Sequence, residues 1–149
     1  MPLEVGAEAP DATLFVEPRE PVSLKQLQGG DPLVLLFFPL AFSSVCTEEM
    51  CAVADDYDAY RDLGAKLAAI SVDSPYTNVK FAEACSVPFP ILSDFNKEAI
   101  RAYGVMRENL GGLKGVSERA VFVIDGDGRI AYAWQGEHPG VMPPFDAVK

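Results

Sequence analysis

The sequence predicts an α/β fold: a central mixed β-sheet flanked by helices, with short strands at the N-terminus and a β-hairpin near the C-terminus. Three observations lead there. Leu33–Phe38 is an unbroken apolar run, the pattern of a strand covered on both faces. Two more buried-strand patterns, "KLAAISVD" and "FPILSD", alternate with helical ones, as parallel strands joined by crossover helices do. Finally, "RAVFVIDGDGRIAYAW" holds two β runs joined by "DGDG", a strong signal for an antiparallel hairpin.

The elements follow in order. "ATLFVEPREPVSLKQL" alternates apolar and polar residues between prolines, which predicts short strands and then a turn of helix near Leu24 to Leu27. "GGD" resets the chain before the Leu33–Phe38 strand, the predicted centre of the sheet. From about Ser44 to Leu63, Val45, Glu48, Glu49, Val53, Tyr57, Tyr60 and Leu63 recur at helical spacing, with Ser43 or Ser44 as cap and Gly64 as stop. "SPYTNVKFAEAC" opens a second helix with an N-cap serine and Pro75 at its first position. "NKEAIRAYGV" predicts a short helix and "RENLGGLKGVSE" a glycine-rich loop. A thioredoxin-like fold accommodates both the parallel crossovers and the antiparallel hairpin, and a fold alone does not fix a function.

The 149 residues (16.1 kDa) read as one domain, 1–149, without repeats or low-complexity linkers. Twelve Lys plus Arg against 22 Asp plus Glu give a net charge of −10, with no basic stripe, which argues against nucleic acid and anionic membranes as partners. "MPLEVGAEAP" lacks the features of a secretory signal, so the expected location is the cytoplasm. "PLVLLFFPLAF" is far short of the roughly 20 apolar residues that span a bilayer. Three cysteines in a reducing compartment point to free, metal-binding or catalytic thiols rather than structural disulfides.

Cys46 is the residue in the most reactive setting. On this reading it lies in the first turn of the helix after the apolar strand, where unpaired N–H groups and the positive end of the helix dipole favour a thiolate. Pro39 ends the strand without an N–H, and Ser43 offers a hydroxyl to a substrate or to the thiolate. Taken singly, Pro39 also reads as a strand terminator and Ser43 as an N-cap.

Together, the proline, serine and cysteine of "FFPLAFSSVCTEE" resemble the active-site motif of the peroxiredoxins, and of the alkyl hydroperoxide reductase E type in particular. The resemblance continues through "VGAEAPDATL", "LAAISVDSPYTNVKFAEA", "FPILSDFNKE" and "RAVFVIDGDGRIAYAW". It implies a thiol-dependent peroxidase acting on hydrogen peroxide and small organic hydroperoxides without metal or other cofactor. By the same resemblance Cys46 is the peroxidatic nucleophile, Pro39 shields it, Ser43 holds the peroxide, and Arg119 completes the pocket. The chemistry agrees, since attack on the O–O bond develops negative charge that a fixed guanidinium stabilises. Glu49 corresponds to a carboxylate that orients such an arginine, and it reads equally as an exposed helix residue. Two departures stand out: Ser43 replaces a threonine common in the family, and the chain ends without the full C-terminal helix of its relatives.

The sulfenic acid formed on Cys46 must meet a thiol. Cys51, five positions on, resembles the resolving cysteine of the bacterioferritin comigratory protein type. On an intact helix positions i and i+5 lie ~8.6 Å apart by Cα, beyond the ~7 Å that a disulfide spans, so the first turn would have to unwind. Cys85 is a second candidate, at the end of the next helix. Either also reads as a small buried hydrophobe, and an external thiol would then resolve Cys46. The favoured expectation is a bond from Cys46 to Cys51.

The resemblance further implies a thioredoxin-, glutaredoxin- or mycoredoxin-like reductant and a homodimer, with Tyr103 and Met106 open between the dimer surface and the core. Rival chemistries lack residues. There is no C-x-x-C, the lone His138 supplies neither a zinc site nor a Cys-His dyad, "GGLKG" lacks phosphate-loop spacing, and "DGDG" has too few carboxylates for calcium. The alternative from another class is a non-enzymatic redox sensor switched by Cys46 oxidation.

Overall fold

A computed structural model describes residues 4–17, 20–40, 66–107 and 115–135. Nine strands and three helices lie within them: β1 (Thr13–Glu17), β2 (Glu20–Ser23), α1 (Leu24–Gln28), β3 (Leu33–Phe37), β4 (Lys66–Ser71), α2 (Pro75–Cys85), β5 (Ile91–Ser93), α3 (Glu98–Ala102), β6 (Met106–Arg107), β7 (Val116–Ser117), β8 (Ala120–Ile124) and β9 (Ile130–Gln135). Seven strands form one sheet in the order β2-β1-β5-β4-β3-β8-β9. β3 pairs parallel with β4 and β4 with β5, while β8 runs antiparallel to β3 and β9 to β8. The mixed sheet is as expected, except that β4, not β3, is its middle strand.

β3 is apolar throughout because it is buried throughout, with every residue from Leu33 to Phe37 inaccessible. Its alternate side chains feed two cores. Leu33, Leu35 and Phe37 join Ala68, Ile70, Ala120 and Phe122 beneath α1 and α3. Val34, Leu36 and Phe38 join Leu67, Ala69 and Val121 beneath α2, where Phe81 fills the interface. Tyr103 lies fully inside the first core, its ring centroid 5.4 Å from Phe37 and 5.2 Å from Phe122. Its hydroxyl donates to the carbonyl of Pro10 at 2.9 Å. Half-buried Met106 packs on the same cluster, so Tyr103 belongs to the core and Met106 to its margin.

Local chemistry sets the ends of these elements. Ser23 and Gln26 form a reciprocal capping box on α1, and Gly29, at φ 56°, closes the helix in a left-handed turn. Ser74 caps α2 through a bond from Thr77 N, with Pro75 at the first helical position. In the β8–β9 turn, Asp125 Oδ1 accepts from the N–H groups of Asp127 and Arg129, each at 3.0 Å. The loop between α3 and β8 departs from expectation. Its two flanks pair as β6 and β7, an antiparallel ladder in which Met106 opposes Ser117 and Arg107 opposes Val116. Two-residue strands carry no periodicity, so nothing in the sequence pattern marks them.

Candidate active site

The carboxyl ends of β3, β4 and β5 make one edge of the sheet, where open α/β folds gather their ligands. β3 extends one bond past its last strand residue, Phe38 N donating to Ile70 O at 3.0 Å. Pro39 follows and is buried. Across from it, Phe37 is in register with Ala120, so the next step along both chains sets Arg119 beside Phe38. Arg119 is only 1% exposed and heads the fully buried large side chains. A charge so deeply buried is tolerated where anions or dipoles match it.

The same edge carries a buried polar network with no counterpart in the sequence reading. Ser71 Oγ lies 2.8 Å from Asp73 Oδ2 and 3.1 Å from Asn78 Oδ1, while Asn78 Nδ2 donates to Leu92 O at 3.2 Å. Ser93 Oγ donates to the carbonyl of Asp73. Asn78 sits at helical spacing from Phe81 on the inner face of α2, which was the one available hint of it. One residue beyond β5, Asp94 turns both carboxylate oxygens onto the start of α3, accepting from Ala99 N at 3.1 Å and Ile100 N at 2.8 Å. Burial pushes its pKa above the usual carboxylate value, and the backbone bonds to Ile100 and Ala99 offset only part of that.

Pro39 and Arg119 thus both flank this edge, Pro39 two residues past Phe37 and Arg119 one residue before its partner Ala120. Cys85 is placed elsewhere: α2 runs back from this edge, and its 11 residues span ~16 Å. Cys85 is its last residue, half-buried against the second core at the far edge of the sheet. Ser43, Cys46, Glu49 and Cys51, the helix expected from Ser44 to Leu63, most of the glycine-rich loop and His138 lie outside the described residues. Among the described residues no helix is long and apolar enough to cross a membrane.

Comparison with known proteins identifies the family. The model of the AhpC/TSA family matches residues 5–133. Alkyl hydroperoxide reductase E of Mycobacterium tuberculosis is 36% identical over 140 residues, covering 93% of this chain and 88% of the relative. Peroxiredoxin Bcp of Bacillus subtilis is 32% identical over 137 residues, covering 91% and 87%. Among solved structures, peroxidoxin BcpB from M. tuberculosis superposes with a TM-score of 0.83 at 31% identity, over 93% of this chain and 90% of that one. A peroxiredoxin-like protein from Aquifex aeolicus gives 0.88 at 25% identity, over 99% and 85%. The chain belongs to the AhpC/TSA family and is a peroxiredoxin, a thiol-dependent peroxidase of thioredoxin-like fold.

Proposed function

We propose that Cys46 is the peroxidatic nucleophile and that Arg119, Ser43, Pro39 and Glu49 complete its pocket, acting on hydrogen peroxide and small organic hydroperoxides. The placement of Arg119 supports this reading: an arginine 1% exposed, one residue before Ala120, which pairs with Phe37 near the end of the strand that leads toward Cys46. Six residues beyond Leu40, Cys46 lies within a chain reach of at most about 22 Å from the end of this strand. The Cys46 thiolate attacks one peroxide oxygen, forming an S–O bond as the O–O bond breaks. The other oxygen leaves with a proton as water or alcohol, its charge stabilised by Arg119. Ser43 holds the peroxide through its hydroxyl, Pro39 keeps water and larger thiols away, and Glu49 orients the guanidinium.

The sulfenic acid is resolved by Cys51, whose sulfur attacks Cys46 with loss of water. The place of Cys85 at the opposite edge favours Cys51 over it. An external thioredoxin-, glutaredoxin- or mycoredoxin-like dithiol then reduces the disulfide. A homodimer is expected, and Tyr76, 68% exposed, and Phe95, 59% exposed, are apolar groups available to its interface.

Stopped-flow reaction of the reduced protein with hydrogen peroxide tests the first step. A rate no faster than that of free cysteine, or an undiminished rate in Cys46→Ser, would refute it. Non-reducing mass spectrometry after one equivalent of peroxide tests the second, by showing a Cys46–Cys51 bond or its absence.

A further inference from the structure

Arg119 stands on a short bridge. β7 ends at Ser117 and β8 starts at Ala120, so Glu118 and Arg119 belong to neither strand. The bridge is pinned by Glu118. Its N–H donates to Val105 O at 2.7 Å, and its carbonyl accepts from Ser117 Oγ at 2.7 Å. Its carboxylate faces Arg107 of β6, whose Nη1 lies 3.2 Å from Oε1 and 3.5 Å from Oε2. The Glu118 side chain is 12% exposed and that of Arg107 32%, so solvent and salt screen this pair less than a surface one. A further cation approaches the foot of β7, where the Lys97 side chain crosses over Gly115.

Two consequences follow from chemistry. Glu118 is the residue before Arg119, so its negative charge adds to the field at the site and opposes any thiolate that the guanidinium favours, unless a second cation offsets it. A planar guanidinium also fixes its partner more rigidly than a point charge does. We propose that Arg107 and Glu118 are a positioning pair for the peroxidase reaction: Arg107 locks Glu118, and through it the bridge that aims Arg119, while offsetting the charge that Glu118 brings to the site. This rests on the role given to Arg119 above.

The test is the pH profile of the stopped-flow peroxide reaction for wild type, Arg119→Ala, Glu118→Gln, Arg107→Met, Arg107→Lys and the double variant Arg107→Met with Glu118→Gln. Loss of aim lowers the plateau rate about tenfold in both neutralising single variants. Loss of charge moves the pH midpoint up in Arg107→Met and down in Glu118→Gln, and the double variant returns it to the wild-type value. Arg107→Lys keeps the midpoint at a reduced plateau. A purely structural pair would lower thermal stability without moving the midpoints in opposite directions. Plateaus within twofold of wild type, or midpoints that stay fixed or move together, overturn the proposal provided Arg119→Ala is slowed at least a hundredfold. If Arg119→Ala reacts like wild type, the reading of Arg119 itself fails. Should Arg107→Met fail to fold, the nearly isosteric Glu118→Gln and Arg107→Lys carry the same decision.

Discussion

Asp94→Asn is the sharpest test of how the site edge is held together. Asp94 is 1% exposed, and each carboxylate oxygen accepts one N–H of α3. Asparagine keeps one acceptor and turns an amide NH2 toward the other N–H, so a buried donor faces a donor. One lost bond and one unsatisfied buried group cost about 1–3 kcal/mol. With a urea m-value of about 2 kcal/mol/M, that lowers the midpoint by roughly 0.5–1.5 M. The pH dependence separates this account from a generic packing defect. Because burial raises the Asp94 pKa above its unfolded value of 3.8, the native state binds more protons than the unfolded one from pH 3.8 up to the folded pKa. Wild-type stability from this group therefore falls as pH rises through that window and is level above it. The stability gap between wild type and Asp94→Asn is accordingly widest at the acid end and narrows as pH rises. Paired urea titrations from pH 4 to 7 measure the gap directly, since all other groups cancel. A gap that widens with rising pH would mean that the folded protein prefers the carboxylate, and the reasoning would be wrong.

The remaining predictions concern particular contacts. Phe81→Ala empties a fully buried site between α2 and the sheet and lowers unfolding free energy by about 3–5 kcal/mol, read by chemical denaturation. Tyr103→Phe leaves the Pro10 carbonyl without its hydroxyl donor and costs about 1 kcal/mol; since burial raises the Tyr103 pKa, spectrophotometric titration to pH 11 should show no fewer ionising tyrosines than in wild type. Gly126→Ala drives a methyl to within 2.8 Å of the Gly30 carbonyl oxygen and destabilises the β8–β9 turn by about 1–3 kcal/mol, visible in thermal unfolding. Arg119→Lys loses the planar donor set and slows the peroxide step by about 10²-fold in stopped flow, with little change in the far-UV spectrum.

Legibility followed burial. β3 and β4 were readable because a strand covered on both faces must be apolar at nearly every position, and "LVLLF" and "KLAAIS" are. α2 was readable at both its cap and its proline. The polar parts of the edge were not, because a buried Asp94 and an exposed turn aspartate look alike in "LSDFNKE" until the fold supplies two N–H donors. Tyr103 was ambiguous for a related reason: an amphipathic ring suits a docking face or a core, and only the Pro10 carbonyl decides for the core. Arg119 was assigned from family resemblance, since an arginine ahead of a strand ordinarily reads as a solvated loop residue.

The position of Arg119 has a further physical cause in strand register. A one-residue slip of β8 against β3 would carry Arg119 to the opposite face of the sheet. Apolar alternation does not prevent that slip, because β8 is apolar on both faces: Ala120, Phe122 and Ile124 lie in one core and Val121 in the other. The register must be fixed at the ends of the strand. At the far end the turn does so, with Asp125 Oδ1 tying down Asp127 and Arg129 and Asp125 N donating to Arg129 O at 2.8 Å. At the near end Glu118 does so, through Val105 O and Arg107. The residues that aim the guanidinium are therefore polar ones just outside the strand, and the apolar strand between them transmits their placement.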